Sequence, residues 1–286
     1  MTEKVRPKAT SYEYGPGYQL AQLSKYRNRH NNHWGIKIEL ARDLVARYVR
    51  PRLREKPNSD IVVVDLGCSI GTFAIEFAKL GYRCYGVDFD PAALKIARQL
   101  SAEENVSVEF VQADVADWKR ECPPVDIAIC SDIFEHLHDD ELGALLQSVR
   151  KQLSQAGSLV FHTFPTQYDY LFFSRSYVRW PLLLVKDLPA DTFERVARAY
   201  ASVIDVWLLL AKGHTYHESL KSAVHCNPLT RERLTDLLER AGYEILCIET
   251  AQLYPFKDAV QKQFLKHPIS YRNLYGVAVP KAYGSV

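Results

Sequence analysis

The sequence predicts an α/β protein built on a mostly parallel sheet, and three observations carry that prediction. Apolar β-type runs alternate with helical patterns through the middle of the chain, the order that a parallel sheet with crossover helices requires. The first run, 61–66, enters the glycine-bearing turn Gly67-Cys68-Ser69-Ile70-Gly71, which opens directly onto a helical pattern. The second run ends at Asp88, about twenty residues beyond the first glycine, the layout of a βαβ unit that holds a ribose-bearing ligand.

Each element follows from its local pattern. Ile38, Ala41, Leu44, Val45 and Tyr48 form an apolar helical stripe, so residues 1–58 are expected to fold as a helical N-terminal cap. After the first strand, a helix over 73–80 stops at Gly81, which suits a left-handed C-terminal cap. The strand at 83–87 is followed by Asp90-Pro91, an N-cap with proline at the first helical position. Residues 106–111 read as a third strand leading to Gln112-Ala113-Asp114, and 125–130 as a buried fourth strand entering Ser131-Asp132. From 139 to 153, Leu142, Leu145, Leu146, Val149 and Leu153 recur at helical spacing behind acids in the first turn. Residues 157–164, rich in Val, Phe and Thr, supply a fifth strand.

The alternation then breaks. Residues 166–224 are aromatic and leucine-rich without a strand pattern, and are expected to form a helical insertion over the substrate site. Thr230 caps a helix carrying Leu234, Leu237, Leu238 and Ala241 and ending at Gly242. Runs at 243–250 and 274–279 suit an antiparallel pair closing one sheet edge. The expected plan is a cap over 1–58, a core over 59–165, the insertion over 166–224 and the remainder of the core sheet over 225–286.

Bulk composition excludes several functional classes. A chain of 286 residues with 47% hydrophobic and 24% charged residues is ordinary for a globular protein with one sizeable core. A net charge of +2 gives no general pull toward nucleic acid; Arg47, Arg50, Arg52, Arg54 and Lys56 are the best candidate for a basic face, with a solvated helix end as the preferred reading. Six cysteines without a Cys-x-x-Cys pair fit a reducing cytoplasm. No apolar stretch approaches the roughly 20 residues of a membrane span.

Departures in the turn decide between nucleosides. A bound pyrophosphate needs glycine at the second and third fingerprint positions, yet Ser69 and Thr72 stand there, which disfavours a dinucleotide. Asp65-Leu66-Gly67-Cys68-Ser69-Ile70-Gly71 resembles instead the Asp-x-Gly-x-Gly-x-Gly loop of class I S-adenosylmethionine-dependent methyltransferases, with serine at the middle glycine. The resemblance covers about residues 61–166 well and the last sixty loosely. It implies a Rossmann-like seven-stranded mixed sheet, five parallel strands plus a C-terminal antiparallel hairpin, with S-adenosylmethionine as cofactor and S-adenosylhomocysteine as product.

The cofactor residues expected on this basis are Asp65, Gly67, Cys68, Ser69, Gly71, Asp88, Phe89, Asp114, Val115 and Ser131. Gly67 lets backbone approach the ligand, and Asp88 is placed to accept from both ribose hydroxyls. The resemblance puts Asp114 on the adenine amino group and Ser131 along the methionine portion, while Phe89 stacks on adenine or packs beneath the next helix. At the N-terminus, Tyr12, Tyr14, Tyr18, Tyr26, Arg29 and His33 are candidates for closing over the cofactor, with ordinary packing as the other reading of each.

Asp132-Ile133-Phe134-Glu135-His136-Leu137 resembles the Glu-His pair of the ubiquinone-biosynthesis type of small-molecule methyltransferase. His136 is the first choice for a general base, since imidazole titrates near neutrality, and Glu135 would orient it or contact the acceptor; both could instead only shape the loop. The other histidines show no metal-ligand spacing, and no metal is expected. Asn/Asp-Pro-Pro-Tyr, which holds planar amines in relatives acting on bases or glutamine, is absent after the fourth strand. The expected reaction is methylation of a small molecule at oxygen. Alternatives are a protein or RNA methyltransferase and a non-catalytic cofactor-binding assembly protein, with a nicotinamide-dependent oxidoreductase third. Tyr168, Tyr170, Phe172, Phe173, Tyr177 and Trp180, with Trp207, would wall an acceptor pocket, pack the insertion or form a homodimer contact.

Overall fold

Seven strands make one sheet: β1 (Val62–Leu66), β2 (Arg83–Asp88), β3 (Val108–Gln112), β4 (Val125–Ser131), β5 (Leu153–Thr163), β6 (Tyr243–Ala251) and β7 (Asn273–Pro280). Their order is β3-β2-β1-β4-β5-β7-β6. β1 to β5 run parallel, and β7 lies antiparallel between β5 and β6. The structure is a computed structural model and describes residues 16–115, 118, 123–173, 177–254 and 258–281. Tyr12, Tyr14, Cys122 and the side chain of Tyr177 lie outside the described residues.

The order reverses between β1 and β4, the place where an open α/β sheet binds its ligand at the strands' carboxyl ends. All five residues of β1 are buried because both faces of the sheet are covered. Val62, Val64 and Leu66 join one core with Leu142 and Leu145 of α5 (Asp139–Gln152) and Leu234 and Leu238 of α7 (Arg231–Arg240). Val63 faces the other core, which holds Ile38 of α2 (His33–Leu44), Phe77 of α3 (Thr72–Ala78) and Leu94 of α4 (Pro91–Glu103). As expected, Asp90 caps α4, its Oδ1 accepting from Ala92 N at 2.8 Å.

β5 begins earlier than its pattern suggests. A register shift between Val125 and Ile127 lets Leu153 pair with Val125, and Gly157 permits the crossing, since a Cβ there would come 2.7 Å from the Val125 carbonyl. The insertion is helical, dominated by α6 (Ala190–Lys212), and its Phe172 and Phe193 bury a small separate core together with Phe264 from the connection between β6 and β7. No helix among the described residues is long and apolar enough to cross a membrane.

The cap is anchored by a buried charge. Glu76 of α3 is 4% exposed; it accepts from Tyr26 Oη at 2.7 Å and from Arg42 and Lys79 at 2.8 Å, with Arg29 at 3.2 Å. Burial alone would raise its carboxyl, but these donors hold it below the usual range. Tyr26, on α1 (Pro16–Arg27), and Arg29 therefore fasten the cap to the core and do not face the ligand end of the sheet, whereas Tyr18 and His33 do.

Candidate active site

The turn after β1 is drawn onto the tip of β2. Gly67 N and Cys68 N both donate to the Val87 carbonyl, at 2.8 and 3.0 Å. Gly67 has φ +70°, and a Cβ there would stand 1.9 Å from Ile133 Cδ1, so glycine is required by both torsion and space. Beneath the turn, the Asp65 carboxylate accepts from Ala74 N in the first turn of α3 at 3.1 Å. Burial, with Asp88 adding to it, pushes Asp65 up to about 7. Asp65 and Gly71 shape the turn and line neither of the two cavities described next.

The first cavity is small and lies among Gly67, Ser69, Asp88, Phe89, Asp114 and Val115. Asp88 Oδ2 accepts from Ser69 N at 2.7 Å and Oδ1 from Asp90 N at 2.9 Å. Each oxygen keeps a second acceptor position, which suits a vicinal diol. Burial raises the Asp88 carboxyl, and the backbone donors oppose that rise.

The second cavity is an open cleft of about 1170 Å³. Gly67, Ser69, Asp132, His136 and Tyr18 border both cavities, so the two meet at the strand tips. Cys68 and Ser131 line the cleft side, and the buried Ser131 Oγ has no partner among the described residues. Together these groups fit a ribose-bearing ligand that extends from the first cavity into the second.

Asp132 follows β4 with φ +57° and holds the floor of the cleft. Its carboxylate takes the ammonium of Lys37 from α2, and His162 Nδ1 at 2.7 Å; His162 Nε2 lies 3.0 Å from Asn273 Oδ1. Burial would raise this carboxyl, but Lys37 and His162 hold it well below the usual range.

Glu135 is 1% exposed, and its Oε2 accepts from Thr163 Oγ1 at 2.6 Å. Burial and the Asp132 charge push its carboxyl well above the usual value, and the bond from Thr163 opposes that rise. Its Oε1 stands 3.9 Å from His136 Nε2, beyond hydrogen-bond reach, and it does not orient the imidazole that way. The backbone does so instead: His136 Nδ1 lies 2.8 Å from the Val224 carbonyl and donates to it, which leaves Nε2 as the acceptor. Burial and the neighbouring His225 bring His136 down to about 4.

Several site residues carried no signal in the sequence. His225, at the end of the insertion, comes beside His136, so that ligand atoms of Glu135, His136 and His225 lie within 4.8 Å of one another. Trp34, Lys37, Gln252, Tyr254 and Arg272 also line the cleft, brought there by the cap and by the connection between β6 and β7. Of the insertion aromatics, Phe173 faces the cleft, Tyr170 and Phe172 are buried within the insertion, and Trp180 and Trp207 are 55% and 59% exposed.

A profile of the methyltransferase domain matches residues 34–248. A ubiquinone biosynthesis O-methyltransferase of Colwellia psychrerythraea is 25% identical over 193 residues, 66% of this chain and 74% of that protein. A protein of the same name from Methylocella silvestris is 26% identical over 110 residues, and the match spans 43% of its length. Among solved structures, magnesium protoporphyrin IX methyltransferase from Synechocystis with bound S-adenosylhomocysteine superposes with a TM-score of 0.54 at 15% identity, covering 92% of this chain and 96% of that one.

Proposed function

The chain belongs to the methyltransferase domain family and is an S-adenosylmethionine-dependent methyltransferase, and on that premise we propose that it methylates a hydroxyl oxygen of a small-molecule acceptor. The observation that supports this most is the meeting of the two cavities at Gly67, Ser69, Asp132 and His136. One cavity offers a diol acceptor, the other a wide cleft walled by Trp34, Phe73, Phe164 and Phe173.

In this reading Asp88 holds the ribose, Phe89, Asp114 and Val115 surround the adenine, and Gly67 and Ser131 flank the methionine portion. When bound, the sulfonium supplies a methyl group already activated for transfer. The protein's task is then to align an oxygen behind that methyl and to take its proton. Aromatic walls exclude water from the acceptor.

His136 is the proton acceptor through Nε2. At about 4 it is far too weak to deprotonate a free phenol beforehand, a gap of about six units or ~8 kcal/mol. As the new carbon–oxygen bond forms, however, the hydroxyl turns into an oxonium that is much more acidic than an imidazolium. Proton transfer therefore accompanies methyl transfer, and a weak neutral base suffices. Asp132, fixed by Lys37 and His162, supplies negative charge near the imidazole as it becomes cationic.

The test is turnover of a panel of phenols, alcohols and amines with the methyl donor, read by product mass, for wild type and His136→Ala. Methyl ethers that lose about 10²- to 10⁴-fold in rate in the variant support the reading. Products methylated only at nitrogen, or full rates in the variant, would refute it.

A further inference from the structure

The main helix of the insertion is apolar on two opposite faces. Phe193, Ala197 and Ala201 of α6 are buried in the small separate core. On the far side, Val203, Val206, Trp207 and Leu210 are each more than half exposed, Leu210 to 83%. Every exposed position from 199 to 211 is uncharged, and Ser202 alone among them is polar. A helix that is hydrophobic all round belongs in an interior, so this face is built to be covered.

We propose that a second copy of this chain covers it, the two α6 helices packing antiparallel across a twofold axis. The spacing of the side chains supports that pairing. Residues 199, 203, 206 and 210 recur at three- and four-residue steps and so share one helix face. With the axis level with the midpoint between residues 204 and 205, Val203 of one copy meets Val206 of the other, and Ala199 meets Leu210, a small side chain opposite a large one. Symmetry repeats both contacts, so the stripe is complementary to itself. The antiparallel arrangement also sets opposite ends of the two helix dipoles side by side. Pairing buries roughly 600 Å² on each copy and roughly 1,200 Å² in total, which clears the ~1,000 Å² expected of a specific interface.

Charge separates this partner from a lipid surface. Helices that lie on membranes flank their apolar stripe with lysine and arginine. Here the charges beside the stripe are already taken: Arg198 donates to Glu194 at 2.7 Å, and Asp205 accepts from Tyr216 N at 2.9 Å. The pairing also bears on the site. Trp207 and Ile204 line a cavity of about 440 Å³ together with Phe173 and Arg272, and these last two line the cleft as well. A second copy lying across α6 therefore backs the outer wall of the cleft.

The experiment is sedimentation velocity on the full chain, for wild type, Val203→Glu, Val206→Lys and an equimolar mixture of the two variants. Thermal melting confirms that each variant folds, as substitution at exposed positions allows. Wild type is expected to sediment as a dimer at about 10 μM, and each variant alone as a monomer at about 100 μM, a loss of at least about tenfold in affinity. The mixture is expected to regain the dimer, because the axis sets position 203 of one variant against position 206 of the other and opposite charges then meet. A monomeric wild type, a dimer that either variant keeps, or a mixture that stays monomeric would overturn the pairing. Wild type is also spun with vesicles of phosphatidylethanolamine and phosphatidylglycerol, and a monomer captured by the vesicles would overturn it in favour of a lipid surface.

Discussion

The imidazole of His136 packs against that of His225 with ring centroids 4.9 Å apart, joining the loop after β4 to the end of the insertion. Burial and a charge on His225 each disfavour a charge on His136. The proposed base is thus ready to accept a proton at any physiological pH, and its weakness dictates that the proton moves together with the methyl group.

That relationship fixes a pH profile. Protonating His136 removes the Nε2 lone pair, so activity falls as pH drops through about 4 and shows no break near the ordinary histidine value. kcat/KM measured from about pH 4 upward should be level through neutrality. His225→Asn, which deletes the neighbouring ring, should move the falling limb to higher pH. A wild-type break near the ordinary value would place the base elsewhere.

Asp88 makes a separate prediction about the donor. Bonds to a carboxylate contribute about 1.5–3 kcal/mol each, so losing both ribose contacts in Asp88→Ala should weaken S-adenosylmethionine binding by about 100-fold or more. Asp88→Asn, which retains one acceptor oxygen, should fall between. Titration calorimetry reads both, and unchanged affinity in the alanine variant would remove Asp88 from the ribose.

Asp65 predicts a dependence of stability on pH. Its folded value of about 7 lies above the unfolded carboxylate value, so the native state favours the protonated form. Its stabilising contribution is complete below the unfolded value and is lost as pH rises through about 7, a change of ~4 kcal/mol. Asp65→Asn keeps an acceptor for Ala74 N but does not titrate. Urea unfolding should show the variant gaining on wild type between about pH 4 and about pH 8. A constant difference would mean that Asp65 is ionised in the folded protein.

The sheet and the donor end of the site were readable in the sequence because both rest on local chemistry. Val62, Val63 and Val64 announce a strand buried on both faces, Asp90-Pro91 announces a helix start, and Asp88 stands where a strand tip must be. The acceptor end was not readable, because it is assembled by long-range packing. Lys37 reaches Asp132 from the cap, His225 reaches His136 from the insertion, and Tyr254 enters from the connection between β6 and β7. None of these side chains stands in a periodic pattern or motif. Glu135 and His136 were visible as a pair, but the 3.9 Å between them and the bond from His136 to the Val224 carbonyl are matters of tertiary structure. Tyr26 illustrates the converse case: an aromatic that looked available to the ligand is consumed by Glu76 beneath the cap.

A crystal structure grown with S-adenosylhomocysteine tests the central claim most directly. The ribose hydroxyls should lie within hydrogen-bond distance of both Asp88 oxygens, with the sulfur at the mouth of the cleft on the His136 side. A ligand bound away from the strand tips, or one whose sulfur points away from His136, would contradict the placement of donor and acceptor on which the proposed chemistry depends.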